Sequence, residues 1–200
     1  MTRAMAAALG AAVLQSSLLF GADVAPKVEE LLHRMTLDEK IGQLTQIGGM
    51  AFIPGAPKPE DAVRKGAGSV LWLNDPAAIN RLQKISMEET RLKIPLLFGL
   101  DVIHGFRTIF PMPLALAASW DSKLIERAQS MAAREARAAG IAWTFAPMVD
   151  IARDPRWGRL IEGAGEDPFL GSMVARAQVR GFQGDDVSQP DRVLAWELAS

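Results

Sequence analysis

Apolar residues along this chain fall into two alternating rhythms. Short continuous runs, Ser69-Val70-Leu71-Trp72-Leu73, Ile94 to Leu100 and Ile141 to Val149, have the length and composition of buried strands. Between them lie longer stretches with helical spacing and helix-ending chemistry. Val28, Leu31, Leu32 and Met35 repeat at helical intervals, and Thr36 with Glu39 forms a capping box that opens a second helix through Gln46. Two helices therefore precede the first strand. A short helix begins near Pro59 and stops at Gly66-Ala67-Gly68, and another runs from Pro76 to about Leu92. Asp121 or Ser122 caps a long helix through Ala139, where Gly140 ends it. Asp167-Pro168 supplies an N-cap followed by proline at the first helical position, which predicts a helix reaching about Gly181. The polar stretch from Gly184 to Asp191 then leads into a fourth strand.

Strand and helix in strict alternation is the order of a (β/α) barrel or of a doubly wound sheet. Here the polar clusters sit in the loops that follow the strands, which favours the barrel, whose sites lie at that face. The expected fold class is therefore α/β, a partial (β/α)8 TIM-type barrel holding the first three to four βα units. A closed barrel takes about 250 residues, and this chain has 200. An open half-barrel leaves strand edges unpaired and strand faces exposed to water. With no repeats and no low-complexity tract, a single incomplete domain over residues 23–200 is the expected organisation. Trp72, Trp120 and Trp143 are expected to pack in the core.

Two loops carry more chemistry than a connection needs. The run Arg153-Asp154-Pro155-Arg156-Trp157-Gly158-Arg159-Leu160-Ile161-Glu162-Gly163-Ala164-Gly165-Glu166-Asp167 brings together three guanidinium forks, four carboxylates and an indole. Carboxylates accept from neighbouring hydroxyls, arginine forks donate in a fixed plane, and an indole face covers an apolar C–H surface. Those are the groups that bind a polyol, although ion pairs that merely brace a rigid loop would use the same residues. The second loop, Asp101-Val102-Ile103-His104-Gly105-Phe106-Arg107, begins with an acid at the end of a buried strand. Burying a lone carboxylate is costly, so Asp101 is expected to point into a polar mouth.

Asp101-Val102-Ile103-His104-Gly105, Pro111 to Leu116 and the Arg153 to Asp167 run, in that order, resemble the amino-terminal barrel domain of glycoside hydrolase family 3, β-glucosidase type. The likeness extends from Val28 to about Ala195 and includes Met35-Thr36-Leu37-Asp38-Glu39-Lys40-Ile41-Gly42-Gln43-Leu44. The resemblance implies retaining, exo-acting cleavage of β-linked glucosyl units, with a β-glucoside or oligosaccharide as partner and no cofactor. It makes Asp101, Arg159 and Glu162 substrate-binding residues. His104, Arg107, Arg153, Arg156 and Trp157 lie within the matching motifs as further candidates, the first four as loop-bracing groups and Trp157 for sugar stacking or loop bracing. The family's N-acetylglucosaminidase branch carries Asp-Gln-Glu-Gly at the Asp101 segment and lacks the arginine-rich loop, so this chain follows the glucosidase pattern. The family's Lys-His pair, its nucleophile and its acid/base residue have no counterpart before Ser200. No catalytic residue is therefore assigned, and the chain alone is expected to show little or no turnover. The alternative is a non-catalytic sugar-binding or interaction remnant of such an enzyme.

Composition narrows the remaining classes. The formal net charge is −1 with signs interspersed, so no basic stripe for nucleic acid exists. Cysteine is absent and only His33 and His104 are present, which removes disulfides, thiolate chemistry and a His-rich metal centre. Residues 1–22, with Arg3 ahead of an apolar, Ala-rich stretch to Phe20, resemble a secretory signal and are too short to span a bilayer convincingly. A periplasmic or secreted protein with no membrane span after processing is expected, or a cytoplasmic one if that segment is not a signal.

Overall fold

The computed structural model describes residues 25–49 and 58–197, so the expected leader over 1–22 lies outside the described residues. The chain divides into two compact units with the boundary after Ile41. In the first unit lie helix α1 (Ala25–Arg34) and the start of α2 (Leu37–Gln43). The capping box forms as the sequence requires: the Thr36 N–H donates to Glu39 Oε2 at 2.9 Å and the Glu39 N–H donates to Thr36 Oγ1 at 3.3 Å.

The second unit is built on five parallel strands, β1 (Gln46–Gly48), β2 (Ser69–Leu71), β3 (Leu97–Leu100), β4 (Trp143–Thr144) and β5 (Leu194–Ala195). They stand side by side in the order in which they occur in the chain. Between them run α3 (Pro59–Arg64), α4 (Pro76–Glu89), α5 (Pro113–Ala117), α6 (Ser122–Ala138) and α7 (Pro168–Gln183). Four successive βα units and a fifth strand make an α/β arrangement with the layout of a partial (β/α) barrel.

Strand β1 replaces the end of the expected second helix. The helical pattern stops at Gln43, and Gln46, Ile47 and Gly48 instead pair with Ser69, Val70 and Leu71 of β2. Ladder hydrogen bonds and the packing of Ile47 against the core outweigh the weak helical preference of three residues. The third apolar run also shortens. Ala146, Pro147 and Met148 are buried as expected, yet only Trp143 and Thr144 join the sheet, and Pro147 has no N–H to give to a ladder.

Successive strand residues face opposite sides of a sheet. One face carries Val70 and Phe98, in register on neighbouring strands, and packs on Ile79, Leu82 and Ile85 of α4, on Ala132, Ala133 and Ala136 of α6, and on Phe182 of α7. The other face carries Leu71, Gly99, Trp143 and Leu194 in one row. Leu97 and Leu194 on it are exposed. Trp143 packs there against Phe145, ring centroids 4.5 Å apart, and against Trp196 at 5.8 Å, so it belongs to the open face rather than the helix-covered core. Trp120 is likewise no core residue, being 72% exposed.

The helices are fixed by caps that the sequence shows. Asp75, Asp121 and Asp167 each accept from a backbone N–H of the first helical turn, at 2.9 Å from Ala78, 2.9 Å from Leu124 and 2.8 Å from Leu170. Small residues set how closely α6 and α7 approach. A Cβ on Gly181 would stand 2.6 Å from the Glu126 carbonyl oxygen and from the Gln129 side chain, so only glycine admits this spacing.

Candidate functional site

Parallel strands end on one side of a sheet, and the loops after β2, β3 and β4 therefore gather there. Asp101 follows the last residue of β3, and its carboxylate is exposed while the next side chain, Val102, returns to the core. The Val102 N–H donates to the buried Thr144 hydroxyl at 3.0 Å, which pins the loop base to β4. Trp72 follows the last residue of β2. Its N–H still pairs with the Gly99 carbonyl at 3.1 Å, and its indole Nε1–H donates to Asp101 Oδ2 at 2.9 Å. At 42% exposure, Trp72 is not the core residue that an apolar run suggests, because its position just past the strand end turns it to the carboxylate.

The Asp101 loop closes on itself and is clamped from below. The Phe110 N–H donates to the His104 carbonyl at 2.8 Å, and His104 Nδ1 lies 2.9 Å from the Phe110 carbonyl. A carbonyl only accepts, so Nδ1 carries the proton. Glu135 on α6 accepts from the N–H groups of Arg107 and Thr108, at 2.9 and 2.8 Å, and from the Thr108 hydroxyl at 2.6 Å. Those donors, the Thr108 hydroxyl foremost, hold its carboxyl below the ordinary value near 4.5. A carboxyl lowered by folding stabilises the loop above its unfolded value and loses that contribution as pH falls through the lowered one. The Arg107 and Thr108 amides are accordingly expected to be protected at pH 6 and to exchange freely once pH drops well below 4.5. Glu135→Gln should weaken their protection already at pH 6. Hydrogen exchange at those two amides checks this, and protection unchanged down to pH 3 would rule the clamp out.

The second loop follows the buried segment after β4. Asp150, Ile151, Ala152, Arg153, Asp154 and Trp157 line an open cleft of about 350 Å³. Asp154 and Arg156 pair with each other: the carboxylate accepts from the Arg156 backbone N–H at 2.9 Å and from Nη2 at 2.6 Å. The Arg156 side chain is 89% exposed, so this pair shapes a turn more than it faces a cleft. Trp157 is half-buried, and its N–H donates to the Asp154 carbonyl at 3.0 Å.

A single helical turn, Leu160–Glu162, then sets a two-pronged ion pair. Arg159 Nε donates to Glu162 Oε1 at 3.0 Å and Nη2 donates to Oε2 at 2.8 Å. The hydrogen-bonded Glu162 raises the Arg159 guanidinium above its ordinary value, and Asp150 and Asp101 add attraction from the two loops. Arg159 in turn holds the Glu162 carboxyl below its ordinary value. Engaging Nε and Nη2 leaves Nη1 on the side away from Glu162, available to donate elsewhere.

Arg159 and Glu162 thus form a two-pronged pair after β4, to which Asp150 and then Asp101, the latter from the loop after β3, add attraction. Arg153 and Trp157 line the neighbouring cleft, His104 ties its own loop, Arg107 contributes its backbone N–H to Glu135, and Arg156 turns to Asp154. Trp72, Asp150 and Glu135 take part without having been marked by the sequence. Trp72 reads as one more apolar residue in a strand, and Glu135 as one more solvated acid on a helix.

Five parallel strands in chain order, backed by helices and with polar groups gathered past their carboxyl ends, define the class, a partial (β/α) barrel. The chain belongs to glycosyl hydrolase family 3: residues 36–191 match the model of the glycosyl hydrolase family 3 N terminal domain. It is 41% identical over 162 residues to the periplasmic beta-glucosidase of Salmonella typhimurium, a match covering 78% of this chain and 20% of that protein. The crystal structure of a beta-glucosidase from Listeria innocua in complex with isofagomine superposes with a TM-score of 0.79 at 41% identity, over 87% of this chain and 25% of that one. A mutant of the Listeria enzyme in complex with laminaribiose matches equally well, with a TM-score of 0.79 at 40% identity over 86% and 26%. The chain therefore spans a fifth to a quarter of the length of these relatives. No helix among the described residues is long and apolar enough to cross a membrane.

Proposed function

We propose that this chain supplies part of the terminal-sugar subsite of a retaining, exo-acting β-glucosidase that releases β-D-glucosyl residues from non-reducing ends. The carrying observation is the Arg159 guanidinium fixed by Glu162 past the strand ends, with the exposed Asp101 carboxylate adding attraction to it from the loop after β3. Asp101 accepts from vicinal hydroxyls, Arg159 donates from Nη1, and Glu162 holds the guanidinium plane while its remaining lone pairs accept from a sugar hydroxyl. Retaining hydrolysis needs a nucleophile and an acid/base carboxylate about 5 Å apart. Asp101 and Glu162 act here as binding groups, and that catalytic pair is assigned to regions outside these 200 residues. Residues 23–200 are then the amino-terminal portion of the barrel domain, in a protein working in the periplasm or outside the cell. Relatives named for β-glucosidase activity, one of them with laminaribiose bound, support this reading.

The test is a titration of intrinsic Trp fluorescence with glucose, run beside release of a chromogenic aglycone from a β-glucoside. Saturable binding with no turnover is expected. Asp101→Ala should weaken binding at least about a hundredfold, the size of losing charge-assisted hydrogen bonds to two hydroxyls. Turnover by the pure chain that Asp101→Ala abolishes would place the chemistry in these residues instead.

A further inference from the structure

We infer that Trp72 is the positioning residue of this subsite, fixing through its indole N–H the direction in which Asp101 presents its carboxylate to a sugar. The inference rests on the saccharide-site reading above and adds a residue to it. Asp101 is exposed, and an exposed aspartate at a strand end samples several rotamers. The Trp72 Nε1–H, donating at 2.9 Å, takes one lone pair of Oδ2 and leaves Oδ1 and the remaining lone pair of Oδ2 to accept from hydroxyls. An indole N–H only donates, so it cannot compete with the carboxylate for the hydroxyl protons of a ligand.

The backbone adds a second, independent observation. Trp72 has φ 61°, in the left-handed region that bulky residues rarely adopt. The β2–β3 ladder pairs Leu71 with Gly99, and the Trp72 N–H bonds the Gly99 carbonyl, so the turn out of the extended conformation falls at the residue that must swing its ring toward Asp101. Backbone strain clusters at ligand and active sites, and here it falls at the strand end beside Asp101. Trp72 is 42% exposed as a residue, so its indole stands at the surface beside the carboxylate rather than in the core.

The experiment uses the 200-residue chain labelled at the indole nitrogens, with glucose as the probe. Trp72→Phe keeps a ring and the same backbone demand while removing the donor, and its missing peak identifies the Trp72 indole resonance. In Asp101→Asn that resonance should move upfield as the charged acceptor disappears. Glucose affinity should fall about tenfold in Trp72→Phe, the size of one hydrogen bond to a charged group, with the melting temperature little changed. If no indole resonance at all moves between the wild-type chain and Asp101→Asn, the proposal is overturned even where Trp72→Phe fails to fold. Wild-type affinity in Trp72→Phe, with binding abolished in Asp101→Ala, overturns it too and leaves the saccharide reading standing. Binding that survives Asp101→Ala, or no saturable binding by the wild-type chain, sinks both.

Discussion

Gly105→Ala is expected to abolish saccharide binding and to lower the melting temperature by about 10 °C, from a loss of roughly 3 kcal/mol in a domain of this size. Gly105 has φ 127°, which side-chain-bearing residues avoid, and an added Cβ would run into the Thr108 carbonyl oxygen and the backbone of Ile109. These are backbone atoms, so no rotamer change relieves the overlap. Moving them breaks the bridge between Gly105 and Ile109, the His104–Phe110 closure and the bonds to Glu135 together. Gly158→Ala in the arginine-rich loop is the control: a Cβ there meets nothing within 4 Å, and the melt should stay within about 1 °C. Equal melting curves for the two variants would show that the Asp101 loop relaxes freely and does not hold its carboxylate.

Phe98→Ala is expected to cost about 3–5 kcal/mol, the range for emptying a buried aromatic site. Phe98 is 2% exposed on the helix-facing side of β3, among Val70 and the side chains of α4 and α6. Folded domains are stable by only about 5–15 kcal/mol, so this variant should unfold at far lower urea, with a slope like that of wild type. Its neighbour Leu97 points to the other face and is 48% exposed, and Leu97→Ala should cost less than about 1 kcal/mol. The comparison reads the sheet's two faces directly. Similar urea midpoints for the two variants would contradict the assigned facing of β3.

The alternation that produced this fold is plain in the sequence where burial and backbone chemistry agree. Val70 and Phe98 sit in apolar runs long enough to be strands, and Asp121 and Asp167 announce the starts of α6 and α7 with side chains that accept from the first helical turn. Strand β1 was illegible because Gln46-Ile47-Gly48 offers one apolar residue, and its pairing with β2 is a tertiary fact that no local window contains. The third apolar run was legible as buried but not as irregular. In the site, Asp101, Arg159 and Glu162 stand out as charges where folding asks for none. Glu135 and Trp72 do not, since each acts on a residue 27 to 29 positions away, and spacing of that length carries no periodic signal.

The strand order β1-β2-β3-β4-β5 also bears on how the chain comes to be made. A polypeptide is released from its amino end, and here each new strand meets a partner that has already been synthesised. The sheet can grow by accretion at a single advancing border, without a strand held idle for a partner still to be translated. Each connection between paired strands contains no other strand, which keeps the steps sequential. A pause in translation would therefore leave a shorter stack of the same kind, its earlier strands already in register.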